Sequence, residues 1–158
     1  MEGNRVLAIA AASGRVGYVF LVDKKLYGWS LSRKASESPQ EAARFAKGWI
    51  ERMRPGVIVT EKHAERCRKG AAVLAVIEAI NRVAESEPLF DISIPRPRNF
   101  PNKFAEAEEL CDRYPELRPR LPKPRMVWDS EPRNTTIFEA LALALEVIDR
   151  EPVGEAGV

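Results

Sequence analysis

The stretch VLAIAAASGRVGYVFLVD, residues 6–23, predicts two β-strands joined by a tight turn. Both halves are rich in β-branched and aromatic residues, and Ser13-Gly14 between them is a pair of turn-forming residues. The first strand ends in three alanines, Ala10 to Ala12, whose side chains can neither bind a ligand nor react. The question is therefore which residue would normally stand at this strand end.

The composition is that of a soluble globular protein. A length of 158 residues and 45% hydrophobic content suit one domain with its own core. Lys and Arg number 25 against 23 Asp and Glu, so any basic surface has to be local. No signal peptide is expected before the first strand, and no apolar run approaches the roughly 20 residues that span a bilayer. With only two cysteines, the expected location is the reducing cytoplasm, away from membranes.

The order of predicted elements indicates an α/β fold. Five segments have the pattern of strands, the first three as an antiparallel meander: 5–12, 16–22, 25–31, 57–61 and 89–95. Four segments have the pattern of helices, the first of them opened by Ser38 as N-cap and Pro39: 39–54, 64–85, 102–113 and 136–150. This order predicts a mixed five-stranded sheet, three antiparallel strands plus two parallel, flanked by helices, and it fits the ribonuclease H-like fold.

The last third of the chain is rich in proline. Eight of the 12 prolines lie between Pro95 and Pro132, and RPRLPKPR, residues 118–125, carries four cations and no acid. An extended form is predicted for this run, either as a stiff solvated connector or as an arm that contacts phosphates. The expected organisation is a single domain over 1–151, with a Pro/Arg-rich connector at about 114–133, and a flexible tail over 152–158.

Three blocks of this sequence resemble the motif blocks of RuvC-type Holliday-junction resolvases: VLAIAAASGRVGYVFL, VIVTEKHAERCRKGAAVLAVIEAI and TIFEALALALEVI. In that family the first strand, of the form I-L-G-I-D-x-(S/G)-x-x-x-G-Y, ends in an aspartate. The fourth strand ends in a glutamate, and the last helix has one or two acids before A-L-A. The resemblance extends roughly from Arg5 to Ile148. It implies a Mg²⁺- or Mn²⁺-dependent endonuclease that acts on branched DNA in recombination and repair, and it implies a homodimer.

The resemblance also implies a catalytic centre. Carried over by position, the strand glutamate is Glu61 and the helical acid is Glu139, while Ala10 stands in the place of the first-strand aspartate. Thr136 stands where some relatives have a second helical acid. The implied metal ligands are thus Glu61 and Glu139 alone.

Two-metal nucleases hold cations roughly 4 Å apart with several carboxylates. Magnesium prefers oxygen ligands, which Ala10 does not supply, so weak or absent metal binding is expected. Asp129 and Glu131 are the acids close enough in sequence to the last helix to substitute. Two structural alternatives stay open: Thr136-x-x-Glu139 matches a capping box, and Glu61 could cap the following helix or pair with Lys62 or Arg66.

Basic residues near these blocks are candidates for binding nucleic acid, with a solvated helix face as the alternative. They are Lys62, Arg66, Arg68, Lys69, Arg118, Arg120, Lys123 and Arg125. His63 is the one histidine of the chain, and it suits a surface position or a proton-transfer role.

Three functions follow from the sequence. The first is a RuvC-like metal-dependent endonuclease for Holliday-junction-like DNA, either as a natural variant or as a chain whose aspartate was replaced to inactivate it. The second is a catalytically dead pseudonuclease that binds nucleic acid. The third is a structural or interaction protein that has kept the fold. The residue encoded at position 10 in the natural gene separates the first two.

Overall fold

The structure is a computed structural model that describes residues 5–12, 14–62, 70–87, 89–94, 103–120 and 135–150. Its strands are β1 (Arg5–Ala12), β2 (Arg15–Val22), β3 (Lys25–Ser32), β4 (Val57–Glu61) and β5 (Phe90–Ile94). Its α-helices in these ranges are α1 (Pro39–Met53), α2 (Ala71–Ser86), α3 (Lys103–Arg113) and α4 (Thr135–Arg150). Short 3₁₀-helices occupy Lys34–Ser36 and Pro115–Arg120. In the part of the chain described, no helix combines the length and apolar character that crossing a bilayer requires.

The five strands form one mixed sheet in the order β3-β2-β1-β4-β5. The β1–β2 and β2–β3 pairs are antiparallel, and the β1–β4 and β4–β5 pairs are parallel. This confirms the predicted mixed sheet of three antiparallel and two parallel strands with flanking helices. β1 lies between β2 and β4.

Each face of the sheet packs against its own helices. Val6, Ala8 and Ala10 of β1 face a core cluster built largely from α3 and α4. Leu7 and Ile9 face the opposite cluster, built largely from α1 and α2. Because β1 is central and covered on both sides, its residues from Val6 to Ala11 are all buried.

Both ends of α1 are capped by side chains. The Ser38 hydroxyl accepts a hydrogen bond from the Glu41 amide at 3.1 Å, with Pro39 as the first helical residue, so the predicted N-cap is confirmed. At the other end, the Arg5 guanidinium donates to the main-chain oxygens of Met53 and Arg54. The cation therefore satisfies carbonyls that the helix leaves without partners. This contact also fixes α1 to the beginning of the central strand.

The described part of the Pro/Arg-rich connector packs against the core. Residues 115–120 form a 3₁₀-helix, and Leu117 within it is fully buried. The Tyr114 hydroxyl donates to the Lys24 carbonyl at 2.9 Å, and Arg113 donates two hydrogen bonds to Asp149, each of 3.0 Å. The predicted extended form is therefore wrong for Arg118–Arg120, because apolar burial of Leu117 folds this part of the segment onto the core. Residues 121–125 lie outside the described ranges.

Candidate functional site

The central strands β1 and β4 end side by side at the same edge of the sheet. Ile9 pairs with Thr60, so Ala10 and Glu61 are the next residues on neighbouring parallel strands, which are about 4.8 Å apart. Ala10 shares the α4-side core cluster with Val59, and Glu61 follows Val59 by two residues. Because side chains alternate along a strand, Ala10 and Glu61 lie on the α4 side of the sheet. Ala10 and Glu61 therefore lie at adjacent strand ends.

The first turns of α4 lie over this strand end. A Cβ built on Gly17 would be 3.3 Å from Cγ2 of Thr136, and Gly17 is the cross-strand partner of Ala10. Glu139 follows Thr136 by three residues, so both belong to the same face of α4. The absence of a side chain at Gly17 thus permits the close approach of α4. Helix α4 therefore brings Glu139 to the region of Ala10 and Glu61.

All four positions are buried. The exposed fraction is 1% for Ala10, Thr136 and Glu139, and 5% for Glu61. Buried carboxylates require cations or hydrogen-bond donors, and neither Glu61 nor Glu139 is without a partner in the structure. Thr136 is the second residue of α4 rather than the N-cap residue that a capping box requires. The bounds of α4 therefore do not match the capping-box explanation of Glu139.

The donor set does not fit a two-metal centre. Glu61 and Glu139 supply carboxylates, but the methyl group of Ala10 supplies no oxygen. Across the described ranges, no group of three or more Asp, Glu, His or Cys side chains is arranged to hold a metal ion. Two-metal phosphodiester chemistry needs more acidic ligands than these two residues provide. Asp129 and Glu131, the predicted substitutes, lie outside the described residues.

Sequence reasoning missed one residue that contacts the site. Asn81 of α2 donates from its side-chain amide to the main-chain oxygen of Glu61 at 3.3 Å. The next residue, Lys62, donates its main-chain N–H to the Ile94 oxygen at 2.7 Å. The end of β4 is therefore held from α2 and from β5. The sequence feature that could have indicated Asn81 is an amide side chain in a helix next to apolar, buried positions such as Ile80.

The predicted nucleic-acid-binding residues that are described lie at two different places. Lys62 follows β4 directly, at the edge that carries the carboxylates. Arg118 pairs with Asp112 at 2.6 Å, and the neighbouring Arg113 is bonded to Asp149 in the last turn of α4. Asp149 is ten residues beyond Glu139, which corresponds to about 15 Å along a helix. The structure therefore does not bring Arg118 together with the carboxylates.

The other predicted site residues have no described side chain. Arg120 ends the 3₁₀-helix, and nothing further is described for it. The remaining residues lie outside the described ranges: His63, Arg66, Arg68, Lys69, Lys123 and Arg125.

Comparison with known proteins gives similarity at the level of structure. No family model matches the chain, and no curated protein matches it. Thermus thermophilus RuvC in complex with a Holliday junction substrate is 15% identical, with a TM-score of 0.61 over 96% of this chain and 97% of that one. Fowlpox virus resolvase, in complex with substrate Holliday junction DNA, is 12% identical, with a TM-score of 0.58 over 92% and 99%.

A third solved structure extends the same similarity. The yeast mitochondrial Holliday junction resolvase is 16% identical, with a TM-score of 0.55 over 90% of this chain and 78% of that one. The chain thus has the ribonuclease H-like fold of RuvC and other Holliday junction resolvases, which the sequence blocks predicted. At these identities the similarity concerns the fold.

Proposed function

We propose that this protein binds branched DNA of the Holliday-junction type at the sheet edge that carries Glu61 and Glu139. One observation carries the proposal: the fold is shared over nearly the whole chain with two resolvases whose structures contain junction DNA. The proposal is supported by Glu61 at the end of β4 beside Ala10, by Thr136, one turn before Glu139, over the neighbouring Gly17, and by Lys62 directly after Glu61. A cation at this edge suits contact with a phosphate backbone.

The proposed activity of the chain with Ala10 is binding with little or no cleavage. Two carboxylates without a third acid give weak affinity for Mg²⁺ or Mn²⁺, since these ions require several oxygen ligands. We place the function in DNA recombination or repair, with a homodimer that presents two equivalent sites to the DNA.

A metal-dependent endonuclease is the second candidate function. It is favoured by the burial of Glu61 and Glu139, because two carboxylates removed from water lower stability unless their surroundings compensate. This candidate requires a further acid at the site, and Asp129 or Glu131 are the sequence-based candidates. Cleavage of a junction by the chain with Ala10 in Mg²⁺ or Mn²⁺ would favour an endonuclease over binding alone.

Junction binding is tested with a four-way junction and a linear duplex of matched length, in EDTA and over a range of salt concentrations. We expect tighter binding to the junction than to the duplex. The logarithm of the affinity should fall linearly with the logarithm of the salt concentration, because Lys and Arg side chains that contact phosphates release counterions from the DNA. Lys62→Ala is expected to reduce the salt slope by about one. Lys47→Ala, at an exposed position on α1, is the matched control and is expected to leave the slope unchanged. Equal, salt-independent affinity for both DNAs would instead indicate an interaction protein.

A further inference from the structure

We infer that Asn81 is a positioning residue for junction binding, because its amide fixes the point at which the chain leaves β4. The inference rests on the proposed function and adds a residue on the opposite side of the sheet from Glu139. Asn81 belongs to α2, which packs on the face that carries Leu7, Ile9 and Ile58. It reaches the site through the main chain of Glu61.

The contacts of this strand end are specific. The amide nitrogen of Asn81 lies 3.3 Å from the main-chain oxygen of Glu61. On the other side, the main-chain N–H of Lys62 donates to the Ile94 oxygen at 2.7 Å. Glu61 and Lys62 are therefore contacted from α2 and from β5. Loss of the Asn81 contact frees the strand end on the α2 side and leaves the β5 contact in place.

The buried side-chain oxygen of Asn81 is unfavourable for a purely structural role. Within the described residues, Oδ1 of Asn81 is buried and has no hydrogen-bond partner, and the same holds for Oγ1 of Thr60. A buried polar atom without a partner lowers stability. Neighbouring positions on α2, such as Ile77 and Ile80, are apolar and buried. A leucine of similar size at position 81 would thus suit the packing better, but it would leave the Glu61 carbonyl without this donor.

The position of this strand end matters for recognising a junction. A four-way junction differs from a duplex in shape, so preference for it requires binding groups that are fixed relative to each other. Lys62 leaves the sheet at the end that Asn81 fixes. Non-specific binding to a duplex depends on charge and tolerates movement of the strand end.

The experiment compares the natural chain with Asn81→Leu and with the control Thr60→Val. Thr60→Val removes a buried hydroxyl on the α2 side of the sheet and keeps the bond between Asn81 and Glu61. For Asn81→Leu we expect an unchanged or higher melting temperature, faster hydrogen exchange at the Lys62 amide, about five- to tenfold weaker junction binding, and unchanged duplex binding. Thr60→Val is expected to keep full junction affinity.

Three other results would contradict the positioning role of Asn81, and one of them would also contradict the proposed junction binding. If Asn81→Leu binds the junction as tightly as the natural chain does, the positioning role is wrong and the proposed function stands. If its melting temperature falls and both DNAs bind more weakly in proportion, the role of Asn81 is structural. If the natural chain itself shows no preference for the junction, the proposed function and the positioning role are both wrong.

Discussion

Ala10 affects both the packing of α4 on the sheet and the number of carboxylates at the candidate site. Its side chain is buried beside Gly17, and the first turn of α4 lies directly above this pair. Two small residues on adjacent strands allow the helix to approach the sheet closely. An aspartate at position 10 would add a third carboxylate to a site from which water is largely excluded. Such a site is unstable without a cation, because carboxylates out of water require compensating charge.

Replacing Ala10 by aspartate therefore tests the site directly. In EDTA, Ala10→Asp is expected to melt at a lower temperature than the natural chain. Mg²⁺ or Mn²⁺ is expected to raise its melting temperature by roughly 5 °C or more, because a ligand that binds only the folded state stabilises it. Junction cleavage should rise by orders of magnitude, since stabilisation of transition-state charge contributes several kcal/mol. Calorimetric melts and cleavage assays with and without metal are the measurements.

The control for this prediction is Glu61→Gln in the Ala10→Asp background. It keeps the size of the side chain and removes its charge, so it is expected to abolish both the metal-induced stabilisation and the cleavage. Cleavage that persists in the double variant would indicate another site or a contaminating nuclease. A folded Ala10→Asp variant with neither response to metal would exclude a latent nuclease centre at this strand end.

At the level of elements, the turn between β2 and β3 is strained. Asp23 and Lys24 have φ angles of 52° and 69°, the left-handed region that a two-residue type I′ hairpin requires. Glycine adopts this conformation with little steric strain, whereas lysine is disfavoured there. Lys24→Gly is therefore expected to raise the free energy of unfolding by about 0.5–1 kcal/mol, measured by urea denaturation. The Lys24 carbonyl that accepts from Tyr114 is retained.

The matched control is Gly14→Ala in the β1–β2 turn. Gly14 has a φ of 79°, and a Cβ added to it would have no heavy atom within 4 Å, so a loss of stability there reports backbone strain alone. We expect Gly14→Ala to lower the free energy of unfolding by about 1 kcal/mol. A lower urea midpoint for Lys24→Gly would contradict the assignment of strain to this turn.

The elements that the sequence predicts well are those with local signals. A continuous apolar run that ends at the Ser13-Gly14 turn placed β1 at its observed bounds, and Ser38-Pro39 placed the beginning of α1. The 3₁₀-helix at Pro115–Arg120 was not predicted, since it depends on the burial of Leu117 against distant residues. Asn81 was missed for the same reason, because its bond to Glu61 joins residues that no local motif connects.

For the whole molecule, topology explains why much of the candidate site was predictable. Parallel strands β1 and β4 end at the same edge, so residues at positions 10 and 61 had to become neighbours once the strand order was known. The packing of α4 against this end was predictable only through the family resemblance. The near-complete burial of Glu61 and Glu139 arises from the packing of layers, which periodicity in the sequence does not encode.

The end of the molecule away from these carboxylates is held by an ion pair that joins distant parts of the chain. Arg113 at the end of α3 donates two hydrogen bonds to Asp149 in the last turn of α4, and these bonds lower the pKa of Asp149 below its ordinary value. A carboxylate with a lowered folded-state pKa contributes stability above its unfolded pKa, near 3.9, and this contribution is lost as the pH falls through the folded value. The pair is therefore expected to stabilise the protein at neutral pH and to stop doing so in acid.

The measurement is the difference in unfolding free energy between the natural chain and Asp149→Asn as a function of pH. Because the side chains are 41% and 48% exposed, solvent screens the pair, and we expect a difference of at most about 1 kcal/mol between pH 5 and 7. The difference should shrink below pH 4, since the natural carboxyl then becomes protonated and resembles the amide. Arg113→Leu supplies the control: in this background Asp149→Asn should produce a much smaller pH-dependent difference, because the main partner cation is gone and only the weaker electrostatic effect of Lys24 on Asp149 remains. A difference that persists unchanged to pH 3 would show that the contribution of Asp149 is independent of its charge and of Arg113.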